Sequence, residues 1–297
     1  MKDNHLSSSA ISFGLNIPSD AVPGADPVSV AQTAEALGFD FVSVNDHVHG
    51  SDPRLEAWTV LSWMAASTVR LRLATRVLGL PYRQPAIVAK MAETFDRLSG
   101  GRLILGLGAG SAEDEFRALG LEVRPLRERI EGLDEAIRIT RGLWSKPSYT
   151  FEGSVYRTDG AQLEPKPDHS IPIWLGTHGK RGLALAGRLA DGWIPSLAFA
   201  PPEQVPAMIE IIHQSARDAG RDPRDIACIY NLQVSIDQRG DAGEFVVSGT
   251  PEAVAERLVG FINLGFSGFN MIPTGANADG QIARLAHDVI PAVRASV

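Results

Sequence analysis

Two short apolar runs flank an amphipathic segment in the first half of the chain. The runs cover residues 71–78 and 103–107, and residues 85–98 between them repeat their apolar positions at helical spacing. Pro85 is suited to begin this helix, and Gly100 is suited to end it. Neither apolar run alternates with polar residues, which is typical of strands covered on both faces. The pattern therefore predicts a strand–helix–strand unit with a right-handed parallel crossover.

The same alternation continues along the whole chain and predicts eight strands and eight helices. The predicted strands lie at residues 11–17, 39–44, 71–78, 103–107, 171–175, 192–195, 226–236 and 268–272. Residues 145–170 are polar with interspersed aromatics, which indicates an insertion made of a short hairpin and an extended segment. An α/β fold of the TIM (β/α)8 barrel type follows, with residues 11–297 as one domain. A doubly wound open sheet is the alternative, and it is weaker because no Gly-x-Gly-x-x-Gly motif follows the first strand.

Composition narrows the class of protein. The net charge of −7, without a basic run, argues against binding to nucleic acid or to an anionic membrane surface. Cys228 is the single cysteine of the 297 residues, which excludes an internal disulfide and suits a reducing compartment. Residues 1–10 are polar and are predicted to form a disordered tail without an export signal. We therefore expect a cytoplasmic protein with no membrane span.

The pair Asp46-His47 is the strongest candidate for chemistry. It follows the second predicted strand, at the end of the barrel where active sites lie. An imidazole exchanges a proton near neutral pH, as a carbonyl or alcohol substrate requires during hydride transfer. Two roles stay open for His47, namely acid/base catalysis and simple contact with a cofactor. Asp46 either contacts the cofactor or holds the loop.

A second candidate is the turn Gly176-Thr177-His178-Gly179-Lys180, which precedes a predicted helix. Its glycines let the backbone approach an anion, and the N–H groups at the start of the helix are free to bind one. A plain strand-to-helix turn explains the glycines but neither the hydroxyl of Thr177 nor the charge of Lys180. This turn is therefore a candidate phosphate site.

The turn after the fourth predicted strand is a weaker candidate. Gly108 and Gly110 form an open turn there, which suits either a ligand or close packing against a helix. Glu115 either orients a bound ring or caps a helix. The nearby Arg124, Arg127 and Arg129 are interpreted as a solvated face paired with acidic neighbours.

Several short motifs are distributed between residue 11 and about residue 292. They are Asp46-His47, residues 74–78 (ATRVL), 97–102 (RLSGGR), 106–110 with Glu115, 164–167 (EPKP), 172–176 (PIWLG) and 190–193 (ADGW). Together they resemble the luciferase-like superfamily of flavin and deazaflavin oxidoreductases. The resemblance implies a TIM barrel with an insertion, a flavin-like ring at its C-terminal mouth, and a homodimer.

The resemblance also implies which residues form the site. In relatives, a bulge with a non-prolyl cis peptide in the third strand forms a wall against the ring, and Arg76–Val77 is the matching pair. His47 and Glu115 are the implied catalytic residues. The implied cofactor-binding residues are Asp46, His47, Thr75, Arg76, Val77, Gly108, Gly110, Gly176, Thr177, His178, Gly179 and Lys180. No metal ligands are expected.

The function implied by the resemblance is hydride transfer between the deazaflavin coenzyme F420 and a small organic substrate. His47, or a water that it holds, would handle the proton. Residues 73–85, 98–110 and 164–179 most resemble members that use F420. An FMN-dependent monooxygenase that uses dioxygen is the alternative. A flavin-binding barrel without turnover, motivated by Arg76, and a cofactor-free barrel acting on sugar phosphates are hypotheses of other classes.

Overall fold

The structure is a computed structural model that describes residues 11–237, 243–274 and 277–297. The predicted tail at residues 1–10 lies outside this part of the chain. Element bounds below refer to the described residues, and no helix among them is long and apolar enough to cross a membrane.

Eight parallel strands close a barrel within the described residues, which confirms the TIM-barrel prediction. In their order around the barrel they are β1 (Ser12–Asn16), β2 (Phe41–Val44), β3 (Arg72–Thr75), β5 (Leu103–Gly108), β8 (Ile173–Leu175), β9 (Gly192–Trp193), β10 (Ala227–Ile236) and β12 (Gly268–Pro273). The sheet closes where β9 pairs with β10 and β12 pairs with β1. Every pairing around the ring is parallel.

Two short strands differ from the prediction. The run at residues 71–78 is not one strand, because it breaks after β3 and resumes as β4 (Leu78–Gly79), which pairs with β5. The second is β11 (Val246–Gly249), which pairs with β10 and has no counterpart in the prediction.

Helices surround the barrel in the predicted alternation. They are α1 (Pro27–Ala36), α2 (Ala57–Ser67), α3 (Pro85–Ser99), α4 (Glu113–Ala118), α5 (Leu126–Ser145), α6 (Lys180–Leu189), α7 (Val205–Asp218), α8 (Pro251–Asn263), α9 (Ala278–Arg284) and α10 (Ile290–Arg294). A π-helical segment at Leu285–Val289 joins the last two. As predicted, Pro85 begins α3, and Gly100 ends it in the left-handed conformation.

The strands are buried on both faces, as their unbroken apolar runs predicted. Inside the barrel, Phe41 and Trp174 meet edge to face, with ring centroids 5.4 Å apart. Gly14 makes room for this pair, because a Cβ atom there would lie 2.1 Å from the Phe41 ring. The outer strand faces pack against the helices in a second apolar layer.

The insertion contains the predicted hairpin, formed by β6 (Tyr149–Glu152) and β7 (Arg157–Ala161) in antiparallel pairing. Glu135 on α5 anchors the turn of this hairpin, because its carboxylate accepts hydrogen bonds from the backbone N–H groups of residues 154–156. The ring of Tyr149 packs where Gly142 leaves space on the same helix. The hairpin is therefore fixed to the outside of the barrel rather than to its mouth.

Candidate active site

A cleft of about 890 Å³ opens at the C-terminal end of the barrel. The turns that follow β2, β4, β5, β8 and β9 line it. This is the end at which barrel enzymes place their chemistry. Nearly all the site residues predicted from the sequence reach this cleft.

One wall of the cleft is built around Val77. The Arg76–Val77 peptide bond is cis, as the resemblance implied. The Val77 side chain occupies the space where side chains of three glycines would project. A Cβ atom would lie 2.7 Å from Val77 Cγ2 at Gly108 and 2.9 Å from it at Gly176. At Gly106 it would lie 1.9 Å from the carbonyl oxygen of Thr75 and 3.2 Å from Val77 Cγ1. The three glycines therefore let β5 and the turn after β8 close against this wall.

The packing of Val77 explains why two residues of the predicted site are glycines. Gly108 and Gly176 line the cleft as predicted. However, the structure explains their lack of a side chain by the packing of Val77, not by the approach of an anion to the backbone.

Two predicted contact residues support the wall instead of forming its open surface. The hydroxyl of Thr75 donates to the carbonyl of Gly106 over 2.7 Å, and Thr75 has no exposed surface. The carboxylate of Asp46 borders the cleft but is buried, where it accepts bonds from Gly79 N at 2.9 Å and from Arg83 at 2.7 and 3.1 Å. Asp46 thus ties the turn after β2 to the turn after β4, and Thr75 lies behind the wall.

His47 and Glu115 meet across the cleft entrance. Nδ1 of His47 lies 2.8 Å from Oε1 of Glu115, and the other oxygen accepts a bond from the Tyr82 hydroxyl over 2.6 Å. The backbone N–H of Val48 also donates to this carboxylate. Glu115 is therefore held from three sides, and it fixes the orientation of the imidazole.

The charge on Glu115 decides how the imidazole is protonated. Burial raises the pKa of Glu115, but the bonds from Tyr82 and His47 outweigh it and hold the pKa below its ordinary value. Burial and the same carboxylate raise the pKa of Tyr82, which stays a phenol and a donor. An ionised carboxylate only accepts hydrogen bonds, so Nδ1 of His47 carries a proton. Nε2 is the ring nitrogen that does not face Glu115, and it is an acceptor whenever the ring is neutral.

The predicted phosphate turn lies on the side of the cleft formed after β8. Gly179 precedes α6 without a side-chain cap, so the first N–H groups of this helix are open. Thr177 is buried, and its carbonyl accepts a bond from Trp193 Nε1 over 2.8 Å. His178 stacks on Phe199 with ring centroids 4.9 Å apart.

Cationic side chains border the same turn. Lys180 and Arg181 line the cleft, and neither forms an ion pair with a carboxylate of the described residues. Free helix N–H groups and two unpaired cations together suit an anionic group. The predicted phosphate turn therefore combines open helix N–H groups with cationic side chains.

The arginine cluster after α4 is only partly a solvated face. Arg124 and Arg127 pair with Glu128 and Glu131, at 3.5 and 2.9 Å respectively. The prediction is wrong for Arg129, whose side chain is 9% exposed and donates to the carbonyl of Gly110 over 2.8 Å. The second terminal nitrogen of the same guanidinium pairs with the carboxylate of Glu113 at 2.8 Å.

Arg129 thereby fixes the turn after β5. Gly110 has a φ of +81°, and a Cβ atom there would lie 2.6 Å from the Phe116 ring, so both conformation and packing require glycine. Both Gly110 and Arg129 line the cleft. The open turn predicted at Gly110 is therefore a rigid one.

Arg76 lies between the cleft and a smaller cavity beside it. Its Nε donates to Asn16 Oδ1 over 3.0 Å, and burial lowers the pKa of Arg76 to about 10. No group of three or more metal-ligating side chains occurs in the described part of the chain.

Sequence reasoning missed Tyr82, Arg83 and Asn16. Each acts on a residue far away in the chain, and no local motif marks such a contact. The only available signal was position, since Tyr82 and Arg83 lie in the turn that follows a barrel strand.

Comparison with known proteins agrees with this geometry. The chain matches the family model described as luciferase-like monooxygenase over residues 11–244. It is 26% identical to an F420-dependent glucose-6-phosphate dehydrogenase of Nakamurella multipartita, over 97% of this chain and 98% of the relative. It is 30% identical to the 5,10-methylenetetrahydromethanopterin reductase of Methanolobus tindarius, over 83% and 74% of the two chains.

The solved structures show the same fold. An F420-dependent secondary alcohol dehydrogenase in complex with an F420-acetone adduct superposes with a TM-score of 0.87. The two proteins share 23% sequence identity, and the superposition covers 96% of this chain and 99% of the other.

Proposed function

Because this chain belongs to the luciferase-like monooxygenase family, we propose that it is an oxidoreductase that uses coenzyme F420 and transfers hydride to or from a small organic substrate. The names of its relatives support the choice of cofactor, since both the glucose-6-phosphate dehydrogenases and the structurally similar alcohol dehydrogenase are F420-dependent. The observation that carries the proposal is His47, held by Glu115, in a cleft that Val77 also lines.

The residues of the cleft fit a deazaflavin cofactor. A flat ring needs a close and largely smooth wall, and Val77, packed against three glycines, supplies one. The open N-terminus of α6, with Thr177 and Lys180, would hold the phosphate, and Arg181 would meet the anionic tail. Coenzyme F420, when bound, supplies a two-electron hydride donor or acceptor.

The chain itself handles the proton through His47. Glu115 holds Nδ1, so Nε2 points its free lone pair away from the carboxylate. Nε2 takes the hydroxyl proton of an alcohol during its oxidation or returns a proton to a carbonyl oxygen during its reduction. Tyr82 keeps Glu115 in place and ionised, which stabilises the imidazolium that forms.

Two other functions predict different behaviour. An FMN-dependent monooxygenase would consume dioxygen with reduced flavin, and the description of the family includes such enzymes. A non-catalytic flavin-binding barrel would bind a cofactor without any turnover. The His47–Glu115 pair favours an enzyme, because a binding protein has no need of a positioned base.

The deciding experiment is a titration of the purified protein with F420 and with FMN, followed by fluorescence. Turnover of each reduced cofactor is then measured with and without oxygen, with acetone and a panel of small ketones and aldehydes as acceptors. We expect binding of F420 and oxidation of reduced F420 only in the presence of an acceptor. Oxygen consumption with reduced FMN would replace this function with a monooxygenase, and binding without turnover across the panel would favour the binding protein.

We further propose a homodimer. Large apolar side chains are exposed on α2, on α3 and in the turn that follows α2, namely Trp63, Leu98 and Val69 at 69%, 84% and 80% exposure. Covering them would remove apolar surface from water. Sedimentation of the purified protein tests this, and a monomer would contradict it. The cytoplasmic location inferred from the sequence stays a prediction.

A further inference from the structure

A cavity of about 500 Å³ adjoins the cleft at the barrel mouth. The two spaces share Arg76, Ser196, Phe199 and Asn231. The two spaces therefore meet at these four residues. This arrangement gives a cofactor and a substrate separate but connected places.

Arg76 brings a positive charge without a counter-charge to this cavity. Its one hydrogen bond to a described side chain is to the neutral amide of Asn16. In contrast, Arg83 pairs with Asp46 and Glu56, and Arg54 pairs with Asp52. Because burial lowers the pKa of Arg76 only to about 10, the guanidinium is charged at neutral pH. A desolvated charge of this kind gains from an anionic ligand.

Neutral side chains that line the cavity with Arg76 accept hydrogen bonds but donate none to the described residues. Ser196 accepts a bond from Asn231 over 2.7 Å, so its own hydroxyl proton is free. The carbonyl oxygen of Asn45 accepts from Ser19 over 3.1 Å, and that of Asn16 accepts from Arg76. Neither Asn45 nor Asn16 donates its amide N–H groups to a described residue.

The orientation of the hydroxyl of Ser196 is set from inside the barrel. Ser43 donates to Asn270 over 2.8 Å, and Asn270 donates to Asn231 over 2.7 Å. Asn231 in turn donates to Ser196. The buried relay runs in one direction, so it ends with a donor at the cavity surface.

We propose that the smaller cavity binds the carboxylate of an organic-acid substrate, with Arg76 as the counter-charge and Ser196, Asn16 and Asn45 as further donors. A planar guanidinium matches a carboxylate with two parallel hydrogen bonds. Arg54, which is paired with Asp52, and Asp20 also line the cavity, and neither forms an ion pair with Arg76. With the charge of Asp20 at the same cavity, a monoanion is favoured over a dianionic phosphate. The inference rests on the proposed function, in that the acid is the compound oxidised or reduced in the adjoining cleft.

The test compares two probes of the same shape that differ in charge, isobutyrate and isobutyramide. Their affinities for the purified protein are measured by calorimetry in a low-chloride buffer, with and without F420. We expect isobutyrate to bind at least about tenfold more tightly than the amide, because charge-assisted bonds to a desolvated guanidinium are strong. Equal affinities in the wild type would overturn the proposal.

Two variants remove the free charge in different ways. Arg76→Met deletes the guanidinium and leaves a shorter, unbranched, uncharged side chain, and Asn16→Asp leaves Arg76 in place and gives it a carboxylate of nearly the same shape as the amide. Both should abolish the preference for isobutyrate, and Arg76→Lys should keep part of it. Arg224→Met, at a remote exposed arginine, is the control and should bind both probes as the wild type does. An unchanged preference in a folded Arg76→Met or Asn16→Asp variant would refute the site.

Further measurements separate this inference from its competitors. If F420 does not bind but the acid preference follows Arg76, the proposed function fails and the anion site stands. If F420 binds equally to the wild type and to Arg76→Met while no acid preference exists, the anion site fails alone. Loss of F420 affinity in Arg76→Met without any acid preference would assign Arg76 to the cofactor. Glucose 6-phosphate that binds through Arg76 more tightly than isobutyrate would overturn the carboxylate in favour of a phosphate ester.

Discussion

The Nδ1 atom of His47 lies 2.8 Å from Oε1 of Glu115, although the two residues are 68 positions apart in the chain. The first follows β2 and the second belongs to the short helix α4 after β5. Their contact sets the tautomer of the imidazole and aims its other nitrogen away from Glu115. The proposed proton transfer therefore depends on a pair that only the closed sheet brings together.

Replacing His47 tests whether it is the general acid/base. His47→Ala should lower kcat by about 10²–10⁴-fold, the usual contribution of such a group, with the fold intact because the side chain is half exposed. His49→Ala, in the same exposed loop, is the matched control and should leave kcat unchanged. Steady-state kinetics and the F420 dissociation constant are measured for both. A weakened cofactor affinity with normal kcat at saturating F420 would reduce His47 to a contact residue.

Removing the hydroxyl of Tyr82 tests the electrostatics of Glu115. Burial raises the pKa of Glu115 while the bonds from Tyr82 and His47 lower it to below 4.5. Tyr82→Phe deletes one lowering bond, so the pKa should rise, and the loss of kcat in acid should begin at a higher pH than in the wild type. The pH dependence of kcat measures the shift, with Tyr149→Phe on the insertion as the control. Superimposable profiles for Tyr82→Phe and the wild type would disconnect Glu115 from catalysis.

The barrel itself was predictable from local patterns. Strands buried on both faces leave continuous apolar runs, and helices on the outside leave a period of 3.6 residues, so each element is visible within a short window. The cap at Thr250 and the proline start of α8 are equally local signals. The missed strand β11 is short and has one buried residue, Val247, which leaves no periodic signal.

The details of the site depend on contacts between distant residues, which local patterns do not contain. The sequence predicts an anion at Gly176, and either a ligand or a packed helix at Gly108, yet each glycine faces Val77 from a different strand end. Arg129 read as part of a solvated face, but the turn at Gly110 captures it. The cis bond before Val77 came from the family resemblance alone, since no residue type announces it. Physical reasoning on the sequence therefore located the site but not the partner of each residue.

The anchor of the insertion is open to a stability test. Glu135→Gln keeps the shape of the side chain but loses the charge that accepts bonds from the N–H groups of residues 154–156. Weakening several charge-assisted bonds should lower the free energy of unfolding by about 1–3 kcal/mol. Glu131→Gln, on the exposed face of the same helix, should stay within about 0.5 kcal/mol. Urea denaturation compares the variants, and equal losses at the two positions would contradict the anchoring role.

The ionisation of Glu135 should also make the free energy of unfolding depend on pH. Burial raises the pKa of Glu135, but the hydrogen bonds from Tyr156, Val155 and Ser154 outweigh burial and hold the pKa below its ordinary value. A carboxyl with a depressed folded pKa stabilises the protein above its unfolded pKa, and this stabilisation is lost as the pH falls through the folded value. As the pH falls from the unfolded pKa of a glutamate through the lower folded pKa of Glu135, the wild type should therefore lose more stability than Glu135→Gln. Parallel curves for the two proteins would remove Glu135 from the acid response.

The variant Gly176→Ala tests why residue 176 is glycine. In Gly176→Ala the new Cβ would lie 2.9 Å from Val77 Cγ2. Because Gly108 and Gly106 also pack against Val77, the side chain of Val77 must shift to relieve this contact. We expect a loss of stability of about 1–3 kcal/mol from overpacking and at least about tenfold weaker binding of F420, because the wall moves.

A double variant separates packing from anion binding at this position. Adding Val77→Ala to Gly176→Ala removes the colliding methyl groups, so a double-mutant cycle should return a favourable coupling of about 0.5–3 kcal/mol in the unfolding free energy. Gly260→Ala, where a Cβ meets nothing within 4 Å, is the control and should stabilise α8 by about 0.5–1 kcal/mol. If Gly176→Ala instead kept full stability and lost only cofactor affinity, with no rescue by Val77→Ala, the glycine would serve the approach of the cofactor's phosphate to the backbone.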